Sequence, residues 1–366
     1  MDSPFGDLVA VSKSDEASTY ARNIENYIGV ARVPVGIAGP LRIFGTAARG
    51  AYPIPLATTE AALVASYNRG MRLIALSGGC NAAVLDERME RTPAFVLRSL
   101  AQALTFVQWI REAQTDLVAA AELTSRYARC VAIEPIVEGN HVYLRCGFQT
   151  GEAAGQNMVT FATAAICRHI AEHSPIAIEA QVIEANCSGD KKATARVLSS
   201  VRGRRVSADV SIARPLLLEY LRVEPRQMGD YWRLGAIGAA MSGTVGLQGH
   251  YANGIAALAI ATGQDAACVA ESACGITRFE VDERGDLYAC VTLPNVVVGT
   301  VGGGTGLPTP QAALGLLRTG GPLNAAALAE IVAGIALAGE LSISGAICAG
   351  EFAAAHQRLA RSAVPC

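Results

Sequence analysis

Charged side chains are scarce in this chain of 366 residues: they make up 17% of it, and the two signs nearly cancel to a net charge of −2. Without a basic surplus the chain has little electrostatic attraction for a polyanion, so nucleic acid is excluded as an expected partner. A soluble chain with 51% hydrophobic residues must bury much of its surface, either in a large core or against partner subunits.

Aromatic residues are also few, at 5%, whereas glycine occurs 37 times. A core with few bulky rings and many glycines must pack largely by close approach of backbones.

Metal-binding spacings are lacking, although the chain has ten cysteines. None of them forms a Cys-x-x-Cys pair or a Cys/His pattern. The scatter predicts reduced, mostly buried thiols in a cytoplasmic protein, with neither a disulfide framework nor a metal site.

An amino-terminal signal peptide is not visible, since residues 1–16 are acidic and contain no long apolar stretch. Two long segments, residues 234–264 and 287–317, lack charged side chains, and their length alone would permit a membrane span. Polar and turn residues interrupt both segments. We therefore interpret them as buried core and expect no membrane partner.

Residues 93–185 have the element order of a small domain. The patterns predict two strand–helix–strand units that share a hairpin, whose turn is Glu138-Gly139-Asn140. The order β-α-β-β-α-β is typical of a ferredoxin-like unit. In chain order, the predicted elements are a strand at 94–97, a helix at 100–123, strands at 126–137 and 141–148, a helix at 153–172 and a strand at 176–183.

We therefore predict an α+β protein. Its large mixed domain is formed by residues 1–92 and 186–366, and the ferredoxin-like unit, residues 93–185, is inserted into it. Helical patterns in the large domain follow Thr58-Thr59-Glu60 up to Arg72, and two long alanine-rich helices are predicted at 324–338 and 343–359.

The glycine-rich run at 298–305 follows an apolar strand pattern at 291–298. Glycines after a strand can let backbone N–H groups approach a phosphate. The run does not have the spacing of a dinucleotide fingerprint and no P-loop lysine follows it, so taken alone a tight turn is its more common explanation.

Four polar residues are candidates for chemistry, and each has a structural alternative. Lys191 follows Asp190 in a loop and could stabilise an oxyanion, or the two could belong to a solvated charge cluster. Asp265 ends a charge-free segment and is either a helix cap or a tuned carboxylate. Glu60 lies where Thr58 or Thr59 could cap a helix, and His356 could donate a proton or be structural.

Six motifs follow one another between about residue 20 and residue 360. They are residues 25–41, residues 57–70 with Glu60, residues 186–192 with Lys191, Gly263-Gln264-Asp265, residues 299–305 (Gly-Thr-Val-Gly-Gly-Gly-Thr), and residues 338–356, which run from Ala-Gly-Glu-Leu-Ser to His356. In this order they resemble the motifs of the 3-hydroxy-3-methylglutaryl-coenzyme A (HMG-CoA) reductases, and they are closest to the class with the Gly-Thr-Val-Gly-Gly-Gly-Thr motif.

The resemblance implies a four-electron reduction of a thioester in two hydride steps, which converts HMG-CoA to mevalonate and free coenzyme A. In that family the residue at Lys191 stabilises the oxyanion and the residue at Glu60 donates a proton to the carbonyl. The residue at Asp265 adjusts their proton affinities, and that at His356 protonates the departing thiolate.

The resemblance also implies an obligate homo-oligomer, a dimer or higher, with shared active sites. In the family the lysine of a site comes from one subunit, and the glutamate and aspartate come from its neighbour. A strongly apolar chain with few charges agrees with subunit contacts.

Binding residues are implied by the same correspondence. Those for the substrate and coenzyme A are Asn68, Arg69, Arg72, Arg91, Asn186, Asp190, Lys192, Arg222, His250 and Asn253. Those for the nicotinamide cofactor are Ser125, Arg126, Tyr127, Glu152, Asn157, Gly302, Gly303 and Gly304. Arg126 could pair with a 2′-phosphate, which favours NADPH over the alternative, NADH.

The chain departs from the family at the end of the pocket that holds the acyl carboxylate. Glu184 replaces a small hydroxyl residue, and the family's lysine is missing near residues 233–234, where Arg233 is the nearest cation. Arg91 and Lys192 remain as carboxylate partners.

Three functions are therefore weighed. The first is reduction of HMG-CoA, and the second is the same reduction on another acyl-CoA in a specialised biosynthetic pathway. The third is a silent coenzyme A-binding relative, against which the joint presence of Glu60, Lys191, Asp265 and His356 counts.

Overall fold

The computed structural model describes residues 14–352. Its first half is built on long antiparallel strands that carry helices on their faces. The elements are α1 (Ser14–Ala21), β1 (Val35–Gly45), β2 (Arg49–Ala57), α2 (Leu63–Leu76), β3 (Cys80–Arg91), β4 (Ala94–Val96), α3 (Leu100–Glu112), α4 (Gln114–Glu122), β5 (Arg129–Glu138), β6 (His141–Gln149), α5 (Gln156–His173) and β7 (Ala180–Val182).

The second half adds the remaining strands and the longest helix. The elements are β8 (Gly203–Ile212), α6 (Arg214–Leu221), α7 (Pro225–Ser242), β9 (Gly246–Leu247), α8 (Tyr251–Thr262), α9 (Val269–Ser272), β10 (Gly275–Val281), β11 (Leu287–Val296), α10 (Pro308–Arg318) and α11 (Ala325–Cys348). Short 3₁₀ turns lie at Ala195–Leu198, Ala266–Cys268 and Gly303–Gly306.

One mixed sheet joins the eleven strands in the order β7-β4-β6-β3-β8-β11-β10-β9, with β1 and β2 branching from β3 and β5 from β6. Strand β3 pairs with β8 over Asn81 to Arg88, and its last three residues pair with β6. The predicted α+β class is confirmed.

The elements between β4 and β7 form the antiparallel order β7-β4-β6-β5, which is that of a ferredoxin-like unit. Two predicted elements differ in detail. The helix predicted at 100–123 is divided at Ala113, where ψ is 4°. The strand predicted at 176–183 is only three residues long in the structure, as β7. Its neighbour β4 also has three residues, and all three pair with β7.

The two helices predicted near the carboxyl end are instead one continuous helix, α11, of 24 residues. Helix α2 packs closely against it: a Cβ on Gly70 of α2 would lie 1.9 Å from the carbonyl oxygen of Ala338 in α11. This contact shows the backbone packing expected from the composition. Residues 353–359 of the second predicted helix lie outside the described residues.

Among the described helices, α11 alone is long and apolar enough to cross a membrane, and 83% of its most apolar stretch is buried inside the fold. Its two carboxylates, Glu330 and Glu340, are buried too. Glu330 accepts hydrogen bonds from the backbone N–H groups of Thr46, Ala47 and Ala48, so its charge is compensated within the protein.

The charge-free segment at 234–264 is only partly buried, so the interpretation as core is wrong for its first part. On α7, Leu234, Ile237 and Met241 are 70%, 60% and 84% exposed. These three residues form the apolar face of α7, which nothing in the described part of the chain covers.

Candidate active site

Helix α8 separates two clusters of the residues singled out in the sequence. His250 and Asn253 lie at its amino end, whereas Asp265 follows its carboxyl end. A helix of 12 residues is about 18 Å long, so the two clusters are distinct places within one chain.

Lys191 and Asp265 form an ion pair, with Nζ and Oδ2 2.8 Å apart. The hydrogen bond that Lys191 donates to Asp265 raises the pKa of Lys191, and burial acts against that shift. Burial also acts to raise the pKa of Asp265, but the hydrogen bond from Lys191 and that from the Ala267 N–H together keep it below its usual value. Asp265 therefore keeps Lys191 in its cationic form. A fixed cation is the kind of group that can stabilise an oxyanion.

A buried network holds the Lys191 loop in place. Lys191 has a φ of 55°, in the left-handed region, and its N–H donates to Glu271 Oε1 at 3.2 Å. Glu271 is fully buried against Arg202, which is 1% exposed and also lies 2.8 Å from Asp190. Burial raises the pKa of Glu271, although the charge of Arg202 opposes that shift.

Asp265 is thus both a capping group and a partner for the candidate lysine. Its Oδ1 accepts from the Ala267 N–H at 3.0 Å, at the start of a 3₁₀ turn. Its Oδ2 receives Lys191 and, at 3.4 Å, the amide of Gln156 from α5. The capping contact and the contact with Lys191 coexist because the two oxygens of Asp265 have different partners.

Arg91 lies on the other side of Asp190. Its Nη1 is 2.9 Å from Asp190 Oδ2 and 3.4 Å from Glu184 Oε2. Glu184 also accepts from the N–H of Asn186, at 2.8 Å. Lys192 is exposed and donates to the backbone oxygen of Asp190.

Arg233, the nearest cation to the missing lysine, is paired with Asp230 on α7 and is exposed.

Glu60 borders a cavity of about 320 Å³ that Arg69, His250 and Asn253 also line. The Asn253 amide donates to Glu60 Oε1 at 3.4 Å. Helix α2 begins only at Leu63, so Glu60 lies in the turn before it. The structural alternative, a helix cap at Thr58 or Thr59, does not hold: the N-cap of α2 is Ala62, and the Thr58 hydroxyl accepts from the Glu60 N–H within the turn.

A buried carboxylate positions His250 at this cavity. Glu340 Oε1 lies 3.0 Å from His250 Nδ1, and Glu340 also accepts from the N–H groups of Gly249 and His250. Burial acts to raise the pKa of Glu340, but these bonds keep it below its usual value. The ring of His250 stacks on that of Tyr67.

The three arginines expected at the coenzyme A phosphates differ in burial and in partners. Arg69 is half-buried and donates to the Ser342 backbone oxygen at 2.7 Å, and its burial lowers its pKa. Arg72 is exposed, and Arg222 is exposed with a single distant partner, Glu351 at 3.4 Å. Asn68 accepts from the Gly39 N–H and is not one of the residues that line the cavity.

The glycine-rich loop lies against the Asp265 turn. Gln264 makes two hydrogen bonds to this loop. Its Oε1 accepts from the Gly299 N–H at 2.9 Å, and its Nε2 donates to the Gly299 oxygen at 3.0 Å. Gly302 and Gly303 have positive φ and open space where a Cβ would be. Glu152 ties the loop to the ferredoxin-like unit, since it accepts from Thr300 Oγ1 at 2.7 Å.

The other cofactor candidates lie at the same edge. Arg129 at the start of β5 pairs with Gln149 at the end of β6, which places residues 125–127 beside residues 150–157. Arg126 is exposed and lies over the Tyr127 ring, 5.3 Å from its centroid, and Asn157 is exposed in the first turn of α5. Gly304 packs against Gly263.

His356 lies outside the described residues. Between residues 14 and 352, no group of three His, Cys, Asp or Glu side chains could hold a metal ion. The nine cysteines in that range are free thiols.

Sequence reasoning missed several positioning residues. Gln264 and Glu340 lie inside two of the six family motifs. Their position within these motifs was therefore a signal in the sequence that could have indicated them. Arg202 and Glu271 carry no such signal, because a buried ion pair between distant residues leaves no local pattern.

The pairing within the chain differs from the division of residues between subunits that the resemblance implies. Lys191 and Asp265 pair within a single chain, whereas Glu60 lies at the other end of α8. Within one chain the aspartate thus lies with the lysine and not with the glutamate.

Comparison with known proteins agrees with the motifs. The family model described as hydroxymethylglutaryl-coenzyme A reductase matches residues 6–361. The 3-hydroxy-3-methylglutaryl-coenzyme A reductase of Methanocaldococcus jannaschii is 42% identical over 95% of this chain and 87% of its own, and that of Aeropyrum pernix is 44% identical over 97% and 87%.

Among solved structures, a class II reductase of this name from Streptococcus pneumoniae, bound to NADPH in open conformations, superposes with a TM-score of 0.74. It is 22% identical, and the match covers 91% of this chain and 89% of the other. At that identity the likeness concerns the fold.

Proposed function

The chain belongs to the hydroxymethylglutaryl-coenzyme A reductase family, and from this membership we propose that it reduces HMG-CoA to mevalonate and free coenzyme A with NADPH. The observation that carries the proposal is the Lys191–Asp265 ion pair, which lies next to the glycine-rich loop through Gln264. A fixed cation beside a cofactor site is what reduction of a thioester carbonyl needs.

NADPH, when bound, supplies the hydride for each of the two reductions. The open, positive-φ glycines 302 and 303 fit a phosphate-bearing ligand, because their backbone can be approached without a Cβ in the way. Arg126 is an exposed cation at the same edge and would hold a 2′-phosphate. These features favour NADPH over NADH.

In the first step Lys191 stabilises the oxyanion that forms as hydride adds to the thioester carbon. The C–S bond then breaks, and the coenzyme A thiolate takes a proton from His356. In the second step the aldehyde carbon receives hydride, and Glu60 donates the proton that completes the alcohol. Asp265 holds Lys191 in place throughout.

We also propose a homo-oligomer in which Glu60 of one chain faces Lys191 and Asp265 of another. The separation of these residues along α8 supports a shared site, since neither half of one chain contains the whole set. The exposed apolar face of α7 supports a subunit contact, because an uncovered patch of this kind is typical of an interface. A cytoplasmic location completes the proposal.

The test is NADPH oxidation, followed by absorbance, with HMG-CoA as substrate and NADH in parallel. The expected result is two NADPH consumed for each HMG-CoA, with mevalonate as product. Lys191→Ala should abolish turnover without unfolding the protein, whereas Arg98→Ala, which removes the cation of an exposed pair with Glu179, should leave it unchanged.

Absence of turnover with HMG-CoA, together with reduction of another acyl-CoA, would replace this substrate by the second candidate. The pairing of Arg91 with Glu184 is the observation that favours that candidate. Binding of coenzyme A without any NADPH oxidation would instead indicate a silent relative.

A further inference from the structure

The ionised groups around Lys191 balance one another within the chain. Linked by direct contacts, they form the Lys191 cluster, which has four cations and four carboxylates. The cations are Arg91, Lys191, Lys192 and Arg202, and the carboxylates are Glu184, Asp190, Asp265 and Glu271. The acyl group of HMG-CoA carries a carboxylate of its own, so its binding would add a fifth negative charge to this balanced cluster.

Arg91 is the buried cation best placed to bind such a carboxylate. It is 8% exposed, and it contacts Asp190, which belongs to the Lys191 loop. Its Nε is buried and has no hydrogen-bond partner among the described residues. A planar guanidinium with a free donor can take a further carboxylate oxygen.

Two carboxylates already compete for Arg91, and they are held differently. Asp190 is shared with the buried Arg202, 2.8 Å away, so it is committed to the core of the cluster. Glu184 lies at the longer distance of 3.4 Å, is partly exposed, and has Arg91 as its ion-pair partner. Glu184 is therefore the counterion that a substrate carboxylate would meet first.

We propose that Glu184 is a specificity-determining residue that weakens the acceptance of acyl groups ending in a carboxylate by occupying Arg91. The inference rests on the proposed function, since it concerns the acyl end of the same site. An anionic acyl group must approach Arg91 against the like charge of Glu184, whereas a neutral acyl group of the same shape meets no such repulsion.

Glu184 also has a structural role, which the choice of variant must preserve. Its Oε1 accepts from the Asn186 N–H at 2.8 Å, and its Oε2 from the Thr92 N–H at 3.3 Å. Asn186 has a φ of 63°, so the loss of this bond would free a strained turn. Glu184→Gln removes the charge and keeps an amide oxygen for the Asn186 N–H, the shorter of the two bonds, while it gives up the longer bond from the Thr92 N–H.

The experiment compares two thioesters, HMG-CoA and 3-hydroxy-3-methylbutyryl-CoA, which lacks the distal carboxylate. For each, kcat/KM and the Kd from calorimetry are measured with the wild-type oligomer and with Glu184→Gln. We expect Glu184→Gln to raise kcat/KM for HMG-CoA about tenfold and to change that for the neutral thioester less than about twofold. Glu179→Gln, which removes a carboxylate from an exposed pair with Arg98, is the matched control and should change neither.

An unchanged ratio between the two thioesters, or a fall in kcat/KM for HMG-CoA, would overturn the role of Glu184. The proposed function fails separately, if the wild type oxidises no NADPH with HMG-CoA. In that event the ratio of the two Kd values decides the inference: a rise in HMG-CoA affinity in Glu184→Gln supports it, and equal affinities or no binding to either protein overturns it.

Discussion

Active-site sharing can be tested by combining chains that are inactive for different reasons. Three variants each remove one group: Glu60→Gln, Lys191→Ala and Asp265→Asn. Lys191 and Asp265 lie 2.8 Å apart in one chain, and Glu60 lies beyond the length of α8. If the site is shared as proposed, the first variant affects one half of a site and the other two variants affect the second half.

The expected magnitude follows from two-fold symmetry. A heterodimer of Glu60→Gln and Lys191→Ala chains has one site with both defects and one site with neither. In a random equal mixture half of the dimers are heterodimers, so about a quarter of all sites, and about a quarter of wild-type activity, should return. Purified heterodimers should reach about half.

Differently tagged chains, co-expressed and purified through both tags, provide the heterodimers, and NADPH oxidation with HMG-CoA is the assay. Glu60→Gln should regain activity when it is combined with either Lys191→Ala or Asp265→Asn. Lys191→Ala combined with Asp265→Asn should stay inactive, because every site then lacks one of the two. Each homodimer serves as the blank.

The opposite pattern would refute the reasoning. Activity from the combination of Lys191→Ala with Asp265→Asn, and none from Glu60→Gln with Asp265→Asn, would place the glutamate and aspartate of a site in the same subunit. No recovery in any combination would mean that one chain supplies a whole site.

Three further changes test the buried groups and the backbone packing. Arg202→Met should lower the free energy of unfolding by about 3–5 kcal/mol in denaturant titrations, because it leaves the buried Glu271 without its counterion, and adding Glu271→Leu should restore part of the loss. The pKa of Glu340 is held below its usual 4.5 by its histidine partner in spite of burial, so its contribution to stability is complete above pH 4.5 and is lost as the pH falls through the folded-state value. Glu340→Gln should therefore flatten the acid side of the stability profile, and an unchanged slope would contradict the assignment. Gly70→Ala should destabilise by about 1–3 kcal/mol, since its Cβ would meet a carbonyl oxygen of α11, whereas Gly315→Ala, in a helix with open space, should be neutral or stabilising.

The sequence by itself determined the α+β class and the ferredoxin-like order of strands and helices. It did so because strand alternation, helical periodicity and the turn at Glu138-Gly139-Asn140 are local signals, read within a few residues of one another. The order of the motifs likewise needed no coordinates to indicate the family. Boundaries that depend on a neighbour were less certain, as the three-residue strand β7 shows.

The tertiary structure alone decided how the candidate residues are grouped. It joined Lys191 to Asp265 within one chain, put Glu60 in a different cavity, and left the apolar face of α7 uncovered. It also supplied the buried pair of Arg202 and Glu271. These are contacts between residues far apart in sequence, and their energies depend on burial and distance, which leave no periodic trace in the chain.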